Sequence, residues 1–520
     1  MKRPCLLPFA VLYLAALTAS SQDYRPRYHF TPPQNWINDP NGLVYHDGQY
    51  HLFYQHNPFA NQWGHMSWGH AVSTDLLRWE HLPVAIPEFT EGDKTTAIFS
   101  GSAVIDAGNR RGLCPPGTKN CFVAVYTGNV TQGDRHLAQY QNLAFSADGG
   151  RTFTQYAKNP IVDIGSKEFR DPNVFWYEPE QKWVMATVKA IEHRAAFYES
   201  ADLKTWRFLS HFGPTGDTTK VWECPALVRV PIQNESGRSS GNQSRWVLFI
   251  SAGHPQPGYV GMQYFVGDFD GTTFRLAPEN PKPIAPAVTN VVDWGKDYYA
   301  AIQFNHLPAS QPNPIMVGWT NNWAYAGSLP TTPFKGAMSL PRQISLKRTA
   351  EGLVLVQQPI AGVESLREGS GGNGPFRITL SNKSQSFENQ PDNTYELTLD
   401  IVPGTAKEAG VRIAKGKNQE TVLRYADGKL QLDRRRSGNV GFHKTFPSVE
   451  EAPVTPQNGV IRLRIFVDKS IVEVFANDGE RVITNQIFPG EAAGGIELFA
   501  EGGTAEFRNV TVWPMKNAMK

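Results

Sequence analysis

The apolar positions divide the chain into two patterns. From Tyr50 to Trp319 they come as short runs rich in β-branched and aromatic residues, each bounded by turn residues. The runs are Tyr50-His-Leu-Phe-Tyr-Gln55, Cys121-Phe-Val-Ala-Val-Tyr-Thr127, Lys182-Trp-Val-Met-Ala-Thr187, Arg245-Trp-Val-Leu-Phe-Ile-Ser251 and Pro314-Ile-Met-Val-Gly-Trp319. Few segments repeat apolar residues at the helical period, so these runs predict strands. One phrase recurs between them: Ser73-Thr-Asp-Leu-Leu-Arg-Trp79, Ser146-Ala-Asp-Gly-Gly-Arg-Thr-Phe153, Ser200-Ala-Asp-Leu-Lys-Thr-Trp206 and Gly267-Asp-Phe-Asp-Gly-Thr-Thr-Phe274. Each reads as a polar turn feeding an aromatic residue at a strand start. Such repetition predicts β units arranged radially, a β-propeller, with five blades expected.

After Pro375 the pattern becomes strict alternation: Thr394-Tyr-Glu-Leu-Thr-Leu-Asp-Ile401, Gly428-Lys-Leu-Gln-Leu-Asp433, Ile461-Arg-Leu-Arg-Ile-Phe-Val467 and Ile471-Val-Glu-Val-Phe475. Period-two strands separated by turn signals predict an antiparallel β-sandwich. Between the two patterns, Glu368-Gly-Ser-Gly-Gly-Asn-Gly-Pro375 reads as a flexible linker. The expected fold is all-β. Residues 1–21 are a leader, 22–360 a five-bladed propeller, 361–375 a linker and 376–520 a sandwich. The sandwich is expected to buttress the propeller, since its sequence shows no aromatic platform for sugars.

Composition narrows the class. The 520 residues are 40% hydrophobic and only 19% charged, which excludes a disordered chain. Gly 46 and Pro 38 favour many turns over long helices. Lys+Arg 50 against Asp+Glu 48 leaves no net field to attract nucleic acid or an anionic membrane. Lys2 and Arg3 precede the mostly apolar run Cys5 to Ala19 and the small residues Ala19-Ser-Ser21, which predicts a secretory leader. In an oxidising compartment Cys114 and Cys121, close in sequence, are expected to pair and Cys224 to remain a thiol. No Cys/His spacing suits a metal, and no cofactor is implied.

The candidate chemistry lies where each propeller unit opens. The openings are Trp36-Ile-Asn-Asp-Pro-Asn-Gly42, Phe99-Ser-Gly-Ser102, Phe169-Arg-Asp-Pro172, Trp222-Glu-Cys-Pro225 and Asp293-Trp-Gly295. Taken singly, Asn-Asp-Pro-Asn-Gly is a turn, Arg170-Asp171 a surface ion pair and Glu223 a strand edge; Asp293 suits a structural turn. Their recurrence at matching places changes the reading, because equivalent positions on innermost strands converge at one end of the channel. Asp39, Asp171 and Glu223 would then share a pocket. Paired carboxylates are what glycoside hydrolysis requires, one as acid and one as nucleophile or base.

The first, third and fourth openings resemble the three signature motifs of glycoside hydrolase family 32, which includes invertases, exo-inulinases, levanases and fructosyltransferases. The resemblance covers essentially the whole mature chain. It implies Asp39 as nucleophile, Glu223 as general acid/base and Asp171 as a third carboxylate holding fructose hydroxyls. Arg170 would keep Asp171 charged and contact the sugar. It further implies that Asn38, Gln55, Trp63, Phe99, Ser100 and Trp323 shape a fructose pocket; Trp319-Thr-Asn-Asn-Trp323 offers two candidates for the last. The expected activity is retaining release of terminal β-D-fructofuranosyl units from sucrose, inulin or levan. Exo action is expected because a blind pocket at one end of a plugged channel is a cup for a single sugar. The same residues would serve a fructosyltransferase, and a non-catalytic fructan-binding propeller or an arabinan- or xylan-cleaving relative are the other readings. Linkage preference and the choice between monomer and homodimer stay open at this stage.

Overall fold

The computed structural model describes residues 23–519 except 235, 238, 254–259, 283–289, 370–375 and 391. The leader expected over residues 1–21 and the last part of the expected linker lie outside them.

Five antiparallel blades follow one another along the chain, each running from an innermost to an outermost strand. Blade I is Asn35–His46, Gln49–Asn57, Ser67–Ser73 and Glu80–Ile86. Blade II is Lys94–Ala107, Asn120–Gln132, Arg135–Ser146 and Thr154–Gln155, with Phe89–Glu91 added beside the innermost strand. Blade III is Phe169–Tyr177, Lys182–Lys189, Arg194–Ser200 and Arg207–Phe212. Blade IV is Glu223–Gln233, Ser239–Gly253, Val260–Phe269 and Phe274–Leu276. Blade V is Tyr299–Gln303, Ile315–Trp319, Arg342–Thr349 and Gly352–Pro359. The ring closes where Phe334–Lys335 pairs in parallel with Asn35 and Trp36.

The recurring phrase builds the turn between third and fourth strands. In blade I the Ser73 hydroxyl accepts the N–H groups of Asp75 and Leu76 at 3.1 and 2.8 Å, while Asp75 Oδ1 accepts those of Leu77 and Arg78 at 2.9 and 2.8 Å. Ser200 and Asp202 repeat the arrangement in blade III. These side chains satisfy a turn that would otherwise leave its donors open. The aromatic that follows, Trp79 in blade I and Phe274 in blade IV, is buried.

The sandwich is one continuous hydrogen-bonded system folded over on itself. The long strand Gly495–Pro514 pairs with Glu408–Lys415 along its first part and Thr394–Val402 along its second, so it belongs to both layers. Phe376–Asn389 runs along its other edge. Alternate residues such as Leu397, Val411, Leu432, Ile465 and Val474 form the core between the layers.

Two readings of the sequence are corrected here. The expected linker is ordered over Ala361–Leu366, a 3-10 turn whose Val363 and Leu366 are buried in a core shared by propeller and sandwich residues. Asp293 does not open blade V, because the innermost strand begins at Tyr299. It is buried between the domains instead, where Arg342 Nη1 and the Thr484 hydroxyl donate to its Oδ2 at 2.8 and 2.7 Å.

Candidate active site

In each blade the pairing of the innermost strand with its neighbour slips at the same place. The irregularities fall at Ile37/Pro40, Ile98/Gly101, Arg170/Asn173, Glu223/Ala226 and Tyr299/Ile302. A bulge breaks the alternation of side chains and re-aims one of them, here toward the channel mouth. Pro40, Pro172 and Pro225 stand at three of the slips, where a residue that cannot donate to the ladder is tolerated. In blade II the slip passes Gly101, whose place against the Val125 carbonyl leaves no room for a Cβ (2.2 Å). Asp171, Cys224 and Ala300 take positive φ values of 63°, 46° and 54° there. Such backbone costs non-glycine residues energy and persists where surrounding contacts impose it.

Seven of the ten residues assigned to the sugar site stand at these slips. Gln55 on a second strand, with Trp63 and Trp323 in loops, completes the ten that line one cavity of about 820 Å³. Below it the channel is filled. Asn173 and Gln303 exchange side-chain hydrogen bonds, and the Ser102 hydroxyl donates to the Pro172 carbonyl at 2.9 Å while accepting the Val174 N–H at 2.7 Å. The cavity is therefore blind. It is also much larger than one sugar ring, within the range that holds drug-sized ligands. The expected single-sugar cup describes its inner end alone, and the outer part has room for the rest of the substrate.

Three carboxylates meet one guanidinium at the inner end. Asp39 Oδ2 accepts the Ser100 hydroxyl at 2.7 Å and the Cys224 thiol at 3.5 Å. Asp171 Oδ2 accepts the Cys224 N–H at 3.0 Å, and the Asp171 N–H is held by Thr127 Oγ1 at 2.8 Å. Arg170 donates to Glu223 Oε1 at 3.3 Å and to Glu168 Oε2 at 2.6 Å, while its Nε lies 3.9 Å from Asp171. Tyr299 OH donates to Glu223 Oε2 at 2.6 Å. Burial pushes the Asp39 carboxyl above its ordinary value against the Ser100 hydrogen bond, and the Glu223 charge adds to the rise. For Asp171 burial outweighs Arg170 and lifts the carboxyl to about 7. Arg170 is the charge that draws the Asp171 carboxyl back down against this burial. Burial and the neighbouring carboxylates push the Cys224 thiol well up, so it stays a donor to them.

The remaining residues form the walls. Trp36 Nε1 donates to Asn38 Oδ1 at 2.8 Å, which orients the Asn38 amide beside Asp39. The Gln55 amide is anchored on Asn41 Oδ1 at 2.7 Å and the Ile98 carbonyl at 3.0 Å. Trp63 is 53% exposed and meets Phe99 edge-on. Of the two tryptophan candidates, Trp319 is fully buried, while Trp323 lines the cavity and stacks on Trp36 at 5.9 Å. Tyr299, Glu168, Gln139 and the hairpin residues Asp134 and His136 also line it and escaped the sequence reading. Tyr299 carried the one usable signal, a polar-tipped aromatic at the start of the fifth inner strand. Cys114 and Cys121 form a disulfide remote from this cavity, and Cys224 is a buried free thiol. Among the described residues, no group of three or more His, Cys, Asp or Glu side chains is arranged to hold a metal ion.

Residues 29–359 match the Glycosyl hydrolases family 32 N-terminal domain and residues 362–514 the Glycosyl hydrolases family 32 C terminal. A levanase of Bacillus subtilis is 43% identical over 98% of this chain and 74% of its own length. An extracellular exo-inulinase of Aspergillus awamori is 41% identical over 93% of both chains. The crystal structure of exo-inulinase from Aspergillus awamori superposes with a TM-score of 0.88 at 38% identity, covering 96% of this chain and 99% of that one. With both of its domains matched in order, the chain belongs to glycosyl hydrolases family 32.

Proposed function

We propose that this glycoside hydrolase is a secreted, retaining β-fructosidase that removes terminal fructofuranosyl units from fructans and sucrose. The observation that carries the reading is the gathering of Asp39, Asp171 and Glu223 in one blind cavity with a single arginine among them. Levanase and exo-inulinase among the relatives support fructan as the substrate class. The leader-like N-terminus and the extracellular relative support secretion.

Glu223 gives its proton to the glycosidic oxygen while Asp39 attacks the fructose anomeric carbon, forming a fructosyl ester and releasing the rest of the chain. Glu223, now ionised, takes a proton from water, and the resulting attack frees fructose and restores Asp39. Tyr299 and Arg170 fix the Glu223 carboxyl from two sides, so the proton leaves and returns along one direction. Asp171, beside the cavity with Asn38 and Gln55, binds ring hydroxyls, and its hydrogen bonds strengthen as oxocarbenium character develops. Ser100 and Cys224 hold Asp39 Oδ2 in place.

The blind inner end gives exo action, since a chain cannot pass through it. Incubation with sucrose, inulin and levan separately tests the proposal. Fructose should accumulate from the first minutes on all substrates accepted. Oligosaccharides preceding fructose would refute exo action, and longer products growing from sucrose would indicate a transferase.

A further inference from the structure

Glu168 precedes the strand Phe169–Tyr177 at the rim of the cavity. Its N–H donates to Ser166 Oγ at 3.0 Å, and its carbonyl accepts the Ala190 N–H at 2.9 Å, so its backbone is fixed. Its carboxylate takes the shortest contact that Arg170 makes, 2.6 Å to Nη1. Gln139 Oε1 accepts from the same nitrogen at 3.2 Å and is itself anchored, through its amide, on Asn129 Oδ1 at 3.1 Å. The opposite nitrogen, Nη2, reaches Glu223 at the longer distance of 3.3 Å. One cation is shared by carboxylates, and its tightest contact goes to the one that the proposed mechanism does not use.

A guanidinium given wholly to one carboxylate strongly favours the ionised form of that carboxylate, through charge-assisted and often bidentate hydrogen bonds. That would suit a nucleophile and hinder an acid. We propose that Glu168 is a positioning residue: it holds Arg170 outward, away from close pairing with the proton donor Glu223. The proposal rests on Glu223 as donor.

The other groups around Glu223 are Tyr299 from blade V, Asp39 from blade I, and Asp171 and Cys224 beside it. Lys220, Asp134 and His136 line the same cavity. All remain in Glu168→Gln, which also keeps an oxygen to accept from Arg170 and removes only the charge.

The test is the pH dependence of kcat/KM on sucrose and on fructosyl fluoride, whose leaving group needs no proton. On sucrose the alkaline limb of Glu168→Gln should move to lower pH by about 0.5–1 unit, the scale of one screened charge a few ångströms away. On the fluoride the variant should match the unaltered enzyme. An unmoved limb, with the whole profile merely scaled down, would overturn the proposal. So would an equal loss on both substrates. Glu223→Ala in parallel tests the donor assignment separately: it should lose far more rate on sucrose than on the fluoride, and equal losses there would remove that assignment and the proposal with it.

Discussion

The cavity and the contact between the two domains both bury carboxylates against arginine, but pair them differently. At the domain contact Asp293, Glu473 and Asp468 each face a basic side chain. Arg342 donates to Asp293 through Nη1 and to Glu473 through Nη2, both at 2.8 Å. His29 lies between Asp468 and Glu473 at 2.8 and 3.2 Å, and the backbone N–H groups of Arg27 and Tyr28 complete Asp468 at 2.6 and 2.8 Å. Burial pushes Glu473 up, yet Arg342 and His29 outweigh it and leave the carboxyl below its ordinary value. In the cavity Arg170 is spread over Glu168, Asp171 and Glu223, while Asp39 is held by neutral groups, the Ser100 hydroxyl, the Cys224 thiol and the Asn38 side chain. There burial wins and both aspartates are raised; at the domain contact burial likewise raises Asp293 despite Arg342, while Glu473 is lowered. Paired buried charge fixes the arrangement of two domains, whereas under-paired buried charge leaves protons free to move.

If that contrast is right, substitutions in the two regions should separate activity from stability. The largest effect belongs to the cavity. Asp39→Asn and Glu223→Gln should each lower turnover of sucrose by roughly 10²–10⁴-fold or more, the range of a lost acid–base or nucleophilic group. Neither should lower the urea midpoint, and Asp171→Asn should raise it at neutral pH. Substantial turnover by either folded variant, or a falling midpoint, would break the contrast.

Next comes the domain contact. Arg342→Met leaves Asp293 buried without its cation and Glu473 with His29 alone, and should cost about 3–5 kcal/mol. Denaturant unfolding followed by fluorescence would measure it, and a change within error would show that the network contributes nothing net.

The smallest effect is a pH dependence. Burial lowers His29, but its hydrogen bonds to Asp468 and Glu473 prevail and raise it from 6.5 to about 9. A group raised on folding stabilises fully below its unfolded value, and that stability is lost as pH rises through the folded value. The His29 contribution, roughly 3 kcal/mol, should therefore be complete below pH about 6.5 and vanish as pH passes about 9. His29→Gln should flatten the alkaline fall in unfolding free energy. An unchanged alkaline slope would place the effect elsewhere.

The sequence disclosed most of this where local chemistry and tertiary role coincide. Asp39-Pro40, Asp171-Pro172 and Cys224-Pro225 recur at matching places in the sequence, and each proves to stand at a slipped ladder, where proline is tolerated. The fifth blade has no proline at its slip, so Asp293-Trp-Gly295 imitated an opening that begins at Tyr299. What defines Asp293 is contact with Arg342 and Thr484, far along the chain, and no spacing reveals that. Glu168 was invisible for a similar reason, since its part depends on where Arg170 points. Val363 and Leu366 lie in a stretch read as linker, and their burial depends on a core that residues of both domains build together.

The central claim is that Asp39 carries the fructosyl group while Glu223 moves the proton. Mixing Glu223→Gln with fructosyl fluoride, quenching in acid and mapping peptides by mass spectrometry tests it most directly. The fluoride needs no acid to leave, and water lacks its base, so an ester should accumulate. One fructosyl residue on Asp39, absent from the Asp39→Asn, Glu223→Gln double variant, is the predicted result. A fructosyl group on Asp171, or rapid turnover with no labelled peptide, would contradict the account.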